Sequence, residues 1–333
     1  MSLVEPTLVA ILEVGKDNLM RYLDYIDIAR LHKTCHVLRD YITVKVPDAR
    51  YHKIEISQFD DRVKLNLTTK NEDDSIMLEY KKTDEGCSIW KDANLGHAKS
   101  WKIDGLDFMA AFCRDFEMIL NHQKSILKEV VVGRSEKGNI CETIRKMLEN
   151  VQKTKNRIRT KDCKLWCLTP LDACSVLPSF DSKCLKSLSI CGNRDVMSPI
   201  DGIVQLEHWK SLKTVNLCDF EMRNILPEIT QLRRFEVTTA LTSEDVIQLK
   251  NLVLQSTQLT YCQIICTNWK LSNDLYACLG INYVLKYNHI KLYAYKSQKS
   301  KEVWYVEVEY EFLTFKKLSE ENLPNNVTII EYD

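Results

Sequence analysis

The chain has 333 residues, of which 45% are hydrophobic and 28% are charged, values typical of a globular protein. Its 46 basic residues balance its 46 acidic residues, so no net charge favours nucleic acid or a membrane surface as a partner. No run approaches the roughly 18 apolar residues of a membrane span, and Glu5 and Glu13 interrupt the region where a signal peptide would lie. We therefore expect about two domains, a location in the cytoplasm or the nucleus, and reduced cysteines.

Residues 6–46 follow a helical pattern with one interruption. Apolar side chains recur there at spacings of three and four, as on one face of an α-helix. The sequence LDYID at 23–27 interrupts them, and we interpret it as a turn because Asp24 and Asp27 can each cap a following helix. Pro47 ends the pattern, so residues 1–47 are predicted to form a small, bent helical unit.

The next part of the chain changes to strand-like patterning. Residues 51–92 alternate apolar and polar side chains around turn sequences such as NEDD and TDEG, which predicts a meander of antiparallel strands. Residues 106–128 return to helical spacing and run into the apolar sequence EVVV, which predicts a helix followed by a strand.

A hexamer with the pattern L-x-x-L-x-L recurs in the second half of the chain. The four copies are LKSLSI, LKTVNL, LRRFEV and LTYCQI, which start at Leu185, Leu212, Leu232 and Leu259. Their steps of 27, 20 and 27 residues fall within the range of about 20–29 residues that leucine-rich repeats show. The hexamers therefore predict a solenoid whose strands bury their template side chains against neighbouring repeats.

The C-terminal residues 289–312 alternate on both sides of the polar sequence KSQKSK, which predicts a hairpin that could cover the last repeat. We thus predict an α+β fold with three segments. They are an N-terminal helical unit (1–47), a short strand-rich connecting segment (48–105), and a leucine-rich-repeat-like α/β solenoid with a C-terminal β-hairpin (106–333).

The sequence contains no recognisable catalytic constellation or metal site. Gly133 and Gly138 resemble half of a phosphate-binding loop, but the lysine and hydroxyl residue that should follow are absent. The cysteines between 163 and 191 fit no paired zinc-ligand spacing. The basic run at 152–164 lacks interleaved aromatic residues, which favours a solvated surface or an acidic protein partner over nucleic acid. We predict no catalytic residue, no metal, no cofactor and no membrane or nucleic-acid partner.

The helical unit resembles an F-box. Residues 19–42, LMRYLDYIDIARLHKTCHVLRDYI, contain the leucine, the aspartate, the turn and the terminal LRD of that motif. The Leu-Pro pair that usually opens an F-box is absent near Leu12. The matching positions are Leu23, Asp24, Ile28, Leu31, Cys35, Leu38 and Arg39.

The rest of the chain resembles the nematode F-box A group, in which an F-box precedes a strand-rich segment and an FTH domain. The sequences MLEYKKTDEGCSIW (77–90) and FCRDFEMILNHQKSILKEVVV (112–132) carry this resemblance. It implies that the three predicted segments are an F-box, a connecting segment and an FTH domain with the repeat-like architecture.

The resemblance implies a non-catalytic substrate receptor of a Skp–cullin–F-box ubiquitin ligase, which tethers a protein target for ubiquitination and degradation. The F-box would bind a Skp-type adaptor and, through it, a cullin. The implied adaptor-binding residues are Leu19, Met20, Leu23, Tyr25, Ile28, Leu31, Cys35 and Leu38.

An unknown protein target is expected on the strand face of the repeats, where the intervening positions of the hexamer point outward. Aromatic and arginine side chains are favoured there by residue type. The predicted target-binding residues are Ser187, Ser189, Thr214, Asn216, Arg233, Arg234, Glu236, Tyr261 and Gln263.

Two other functions remain open at this point. The missing Leu-Pro pair is compatible with an interaction protein that sequesters or neutralises a partner, for example a toxin or a foreign protein, without recruiting a ligase. An enzyme built on the repeat domain would need a cluster of titratable groups in a pocket.

Overall fold

A computed structural model describes most of the chain. The described residues are 11, 13–23, 25–32, 34–70, 75–93, 99–134, 142–153, 157–166, 168–192, 198–221, 225–267, 277–279, 291–297, 302–309, 312–324 and 327–332.

The helices in these ranges are short apart from three. They are α1 (Glu13–Tyr22), α2 (Tyr25–His32), α3 (His36–Lys45), α4 (Phe108–His122), α5 (Glu142–Lys153), α6 (Pro170–Val176), α7 (Asp201–Val204) and α8 (Ser243–Gln255). Single 3-10 turns or short 3-10 helices occupy Leu177–Ser179, Trp209–Ser211, Leu226–Gln231 and Glu320–Asn322.

Strands make up the larger part of the ordered elements. They are β1 (Lys53–Gln58), β2 (Arg62–Thr68), β3 (Ser75–Thr83), β4 (Gly86–Ala93), β5 (Lys99–Asp104), β6 (Leu127–Arg134), β7 (Thr160–Trp166), β8 (Ser187–Cys191), β9 (Ser198–Pro199), β10 (Thr214–Cys218), β11 (Phe220–Glu221), β12 (Arg234–Thr239), β13 (Tyr261–Cys266), β14 (Lys291–Ser297), β15 (Glu302–Val308), β16 (Phe312–Ser319) and β17 (Thr328–Tyr332).

Among the described residues, nine strands from β7 onward are ordered in a mixed sheet, as β17-β14-β15-β16-β13-β12-β10-β8-β7, the first five strands are ordered β1-β2-β3-β4-β5, and β9 pairs with β11 separately. The predicted fold class, an α+β chain with a helical F-box and a leucine-rich-repeat-like solenoid, is therefore wrong. In a solenoid each repeat contacts only its neighbours in sequence. Here the strands beyond β13 are ordered β16-β15-β14-β17, so neighbouring strands do not follow the order of the chain as successive repeats of a solenoid do.

The four hexamers do form strands, and this explains why they were misleading. They supply β8, β10, β12 and β13, which are parallel neighbours. In each strand two template side chains are fully buried, for example Leu188 and Ile190 in β8. A hexamer of this pattern fits any parallel strand with one buried face, so it could not distinguish a solenoid from a mixed sheet.

The C-terminal hairpin also has a different place from the one predicted. Strands β14 and β15 pair antiparallel, as the alternation indicated, with Lys291 opposite Val308. However, β16 and not this hairpin covers the edge of β13, with Cys262 opposite Phe315.

Contacts divide the chain into two compact units, residues 1–131 with 141–161 (unit 1) and residues 132–140 with 162–333 (unit 2). The domain boundaries predicted at 47/48 and 105/106 stay predictions. In unit 1, β1–β5 form an antiparallel meander. Its first four strands lie where the alternation of residues 51–92 predicted them, whereas β5 was not predicted.

Helix α4 covers one face of this meander. Asp107 caps its N-terminus by accepting hydrogen bonds from the backbone amides of Met109 and Ala110. Phe112 is fully buried and makes an edge contact with Tyr80 of β3, with ring centroids 5.8 Å apart. The phenol of Tyr80 donates to Asp115 at 2.9 Å, so the helix is fixed to the sheet by both apolar and polar contacts.

Candidate docking surfaces

Helices α1–α3 form a small apolar cluster of their own within unit 1. Met20, Ile28 and Ile42 are buried at its centre, one from each helix. Leu23, Leu31 and Tyr41 are partly buried and pack against them. The break predicted at LDYID is shorter than expected, because α1 ends at Tyr22 and α2 already begins at Tyr25, within that sequence.

The eight predicted adaptor-binding residues divide by exposure. Met20, Ile28 and Leu38 are at most 5% exposed, so they form part of the interior of the helical unit. The side chain of Tyr25 lies outside the described residues. Leu19, Leu23, Leu31 and Cys35 are partly exposed and are the predicted residues that a partner could reach.

Four apolar side chains outside the predicted adaptor-binding set are more exposed. Val14 and Tyr22 of α1 are 71% and 89% exposed, and Val37 and Val44 of α3 are 50% and 79% exposed. Val37 and Val44 are seven residues apart, so they lie two turns apart on the same side of α3. The signal was available in the sequence, because these residues fall outside the helical period of the buried side chains.

A polar network fixes α1 to α3. The hydroxyl of Tyr41 donates a hydrogen bond to the carboxylate of Asp17, and the ammonium of Lys45 lies 3.6 Å from the carboxylates of both Asp17 and Glu13. Burial and the bond to Asp17 raise the pKa of Tyr41 far above its ordinary value. The same bond lowers the pKa of Asp17, so the neutral phenol and the ionised carboxylate are the forms that persist together.

The segment that leaves α3 is held by hydrogen bonds at the end of α4. One carboxylate oxygen of Asp48 accepts from the backbone amides of Arg50, Lys124 and Ser125 at 3.2, 2.9 and 3.2 Å. It is also 3.3 Å from the hydroxyl of Ser125. Asp48 therefore ties the end of the helical unit to the turn after α4.

Two side chains from the end of α4 complete this junction. The ring of His122 donates through Nδ1 to the carbonyl of Pro47 at 3.1 Å, and its own carbonyl accepts from the amide of Ala49 at 2.7 Å. The amide side chain of Gln123 both accepts from and donates to the backbone of Tyr51, at 3.0 and 3.1 Å. These hydrogen bonds attach the helical unit to the meander. We call the residues that form them, 47–51 and 122–125, the joint.

In unit 2, eight of the nine predicted target-binding residues lie in two rows on one face of the sheet. Strand register aligns the members of each row across β8, β10, β12 and β13. The rows are Ser187, Thr214, Arg234 and Tyr261, and Ser189, Asn216, Glu236 and Gln263. Each side chain is exposed or partly exposed, and each row extends over about 14 Å.

The charges on this face are paired within it. The guanidinium of Arg234 binds one carboxylate oxygen of Glu236, with Nε at 2.7 Å, while the amide of Asn216 donates to the other oxygen at 3.1 Å. Arg234 also lies over the ring of Tyr261, 3.9 Å from its centroid. Burial raises the pKa of Tyr261, so its phenol stays neutral. The face is polar and nearly neutral.

The ninth predicted residue, Arg233, is placed differently. It precedes β12 and lies at the N-terminal edge of the parallel strands, where its side chain is exposed. Arg233 is the second residue of its hexamer, as Lys186 and Lys213 are in theirs.

No group of three or more metal-ligating side chains occurs in the part of the chain that the structure describes. The glycine-containing loop after β6 lies for the most part outside the described residues, as does Cys167. Among the described helices none is long and apolar enough to cross a membrane.

Residues 140–275, which contain β7–β13, match the FTH domain family. F-box A protein 224 of Caenorhabditis elegans is 26% identical over 193 residues, which are 56% of this chain and 50% of the relative. The chain spans about half the length of this relative. Residues 140–275 therefore match an FTH domain, and the chain is similar to a nematode F-box A protein, which confirms the family resemblance stated from the sequence.

Among solved structures, a propionate kinase from Francisella tularensis is 12% identical over 30% of this chain and 28% of its own, with a TM-score of 0.21. An overlap of this extent carries no argument about a shared fold.

Proposed function

We propose that this protein is the substrate receptor of a Skp–cullin–F-box ubiquitin ligase. The helical unit would bind a Skp-type adaptor and through it a cullin, and the FTH domain would hold a protein target. The match of residues 140–275 to the FTH family carries this proposal, since it agrees with the F-box A protein to which the chain is similar. Such a receptor would act in the cytoplasm or the nucleus.

The two candidate surfaces support a division of labour. Exposed apolar side chains such as Tyr22 and Val44 lie on the helical unit, and apolar contact is what a stable docking interface requires. The face with Arg234 and Tyr261 is polar and contains residue types that are enriched at binding hot spots. The receptor would contribute proximity, by raising the effective concentration of target lysines near the conjugating enzyme.

The adaptor interaction is the first step to test. Full-length protein is mixed with a purified nematode Skp-type adaptor, and the complex is measured by size-exclusion chromatography and calorimetry. The double variant Val37→Glu/Val44→Glu should weaken binding at least about tenfold, because it places two charges in an apolar interface. Both side chains are exposed, so the fold of the helical unit should be retained, which circular dichroism would check.

A matched control is available in unit 2. Leu171 of α6 is 79% exposed, like Val44, so Leu171→Glu makes a comparable change on a different unit. It should leave adaptor binding unchanged. If the wild-type protein binds no adaptor, the receptor function is refuted. If the double variant binds as well as the wild type, the exposed valines are not the docking surface.

Sequestration of a partner without ligase recruitment is the second candidate. It is favoured by the missing Leu-Pro pair and by the burial of Met20, Ile28 and Leu38, which leaves fewer of the predicted side chains accessible. Under this function the adaptor would not bind, while a protein purified with the chain from nematode cells would depend on Arg234 and Tyr261.

A further inference from the structure

Three cations occupy equivalent places at the N-terminal ends of neighbouring strands. Lys186, Lys213 and Arg233 each immediately precede their strands, which are β8, β10 and β12. The amide of Lys213 donates to the carbonyl of Lys186, and the amide of Arg233 to that of Lys213, both at 2.8 Å. We call these three residues the cationic ladder; neighbouring strands space them about 4.8 Å apart.

The charge of the ladder is not neutralised within the described part of unit 2. All three side chains are exposed. The ammonium of Lys186 donates to the carbonyl of Lys183 at 2.9 Å, and a carbonyl leaves the positive charge in place. In the residues that the structure describes, neither Lys213 nor Arg233 forms an ion pair.

Nearby cations on the same sheet form ion pairs with glutamates, unlike the cations of the ladder. Arg234 is paired with Glu236, Lys316 with Glu307 at 3.0 Å, and Lys317 with a further glutamate of β15 at 3.0 Å. Among these cations, the ones without an ion pair in the described residues therefore lie at the N-terminal ends of β8, β10 and β12, beside the polar face whose charges are paired.

The spacing of the ladder selects the shape of an anionic partner. In an α-helix, residues three and four apart rise about 4.5 and 6 Å along the axis, so acidic side chains at these intervals recur about every 5 Å on one side. In an extended chain, side chains on the same face recur every two residues, which is about 6.6–6.8 Å. Acidic side chains at this interval would fall out of step with cations about 4.8 Å apart by the third cation. A helix that crosses the strands keeps its acidic side chains opposite successive cations.

We propose that the cationic ladder binds an acidic helical segment of a protein. The identification of this segment as part of the target rests on the proposed receptor function, whereas the binding site itself does not. The adjacent polar face would then contact the same partner through Ser187 and Thr214, which directly follow ladder residues in their strands, and through Tyr261 on the neighbouring strand β13.

Nucleic acid is the less favoured occupant for two reasons. The chain has no net charge, and the ring of Tyr261 on the neighbouring strand β13 is covered by the guanidinium of Arg234 and is not free to stack on a base. Carboxylates on a helix can bind the ladder through ion pairs alone, and both lysine and arginine form such pairs.

The test uses fluorescence anisotropy with full-length protein and three labelled probes. The first is an alanine-rich helical peptide with glutamates three and four residues apart. The second is the same peptide with glutamines in their place, and the third is an oligouridylate RNA. The glutamate peptide should bind at low salt, more weakly as salt is added, and the glutamine peptide should not bind.

Two double variants decide whether the ladder is responsible. Lys213→Glu/Arg233→Glu should weaken binding of the glutamate peptide about tenfold or more, because two attractive pairs become repulsive. Lys81→Glu/Lys102→Glu changes the net charge equally at exposed lysines of the meander and should have little effect. Circular dichroism and adaptor binding are measured on the same preparations.

Each outcome has a defined meaning. Equal peptide affinity for the wild type and the ladder variant would overturn the proposal, as would the absence of peptide binding at low salt. Binding of RNA in preference to the peptide would overturn it in favour of a nucleic-acid site. Adaptor binding without peptide binding would reject the ladder and leave the receptor function standing, whereas the reverse result would reject the receptor function and leave the ladder.

Discussion

The guanidinium of Arg234 lies over the ring of Tyr261, its central carbon 3.9 Å from the ring centroid, because strand register places the two residues side by side on β12 and β13. The contact is only partly exposed to water, and such a pair contributes about 0.5–1 kcal/mol. It orders two residue types that are enriched at binding hot spots, on the face where the sequence predicted target binding.

A double-mutant cycle should measure this contact. Arg234→Gln, Tyr261→Leu and the combined variant are compared by urea unfolding, and we expect a coupling free energy of about 0.5–1 kcal/mol. Tyr261→Phe retains the ring and should retain the coupling with Arg234. Additive single effects would show that the two side chains are neighbours without a stabilising interaction.

Asp48 should be the most sensitive position in the joint between the helical unit and the meander. Its carboxylate accepts from three backbone amides, so Asp48→Ala leaves these donors without their partner and should reduce the free energy of unfolding by about 1–3 kcal/mol. Asp48→Asn keeps one acceptor oxygen and should cost less.

The control for this prediction is Asp40→Ala on the exposed side of α3. Urea unfolding monitored by tryptophan fluorescence gives both values. A loss for Asp48→Ala no larger than for Asp40→Ala would show that water replaces the carboxylate and that the joint is not held by Asp48.

The pH dependence of the same joint follows from His122. Burial lowers the pKa of its imidazole below the ordinary value of about 6.5, and the charges of Lys124 and His32 act in the same direction, while the bond to Pro47 opposes them. The folded state therefore prefers the neutral ring. Its contribution to stability is complete above about pH 6.5 and is lost as the pH falls through the lower pKa of the folded state.

Urea unfolding between pH 7.5 and pH 5 should show this loss in the wild type. His122→Asn should remove part of the pH dependence, because it removes the titrating group, whereas His36→Asn on the exposed start of α3 should not. If the slope is the same in His122→Asn and the wild type, another group controls the acid sensitivity.

The sequence predicted local elements better than their assembly. Alternation located β1–β4, and helical spacing located α4 and the break before α2, because both depend on which side chains face a core within a short stretch. The hexamers located β8, β10, β12 and β13 for the same reason. The pairing of β13 with β16, some 50 residues later, leaves no periodic trace in either strand, so the mixed sheet could not be distinguished from a solenoid.

The sequence predicted the polar face of the strands better than the apolar surface of the helices. Strand alternation placed the two polar rows with Arg234 and Tyr261 on one exposed face, which required no tertiary information. On the helices, an apolar residue faces either a partner or the unit's own interior, and the period does not decide between them. Ile28 is buried for that reason, while Val44, outside the period, is exposed.

Helix α8 should owe part of its stability to a reciprocal cap at its start. The backbone amide of Asp245 donates to the hydroxyl of Thr242 at 3.2 Å, and the carboxylate of Asp245 accepts from the amide of Thr242 at 2.8 Å. Thr242→Ala removes one half of this arrangement and should reduce the free energy of unfolding by about 1 kcal/mol. Thr242→Ser keeps the hydroxyl and should have a smaller effect.

The equivalent cap of α6, formed by Thr169 and Asp172, provides an internal comparison. Thr169→Ala should cost a similar amount, because its hydrogen bonds have the same pattern, with the amide of Asp172 at 3.1 Å from the hydroxyl. Both helices belong to unit 2, and the two variants are distant in sequence, so their effects in urea unfolding should add. A loss for Thr242→Ala equal to that for Thr242→Ser would show that the hydroxyl does not stabilise α8.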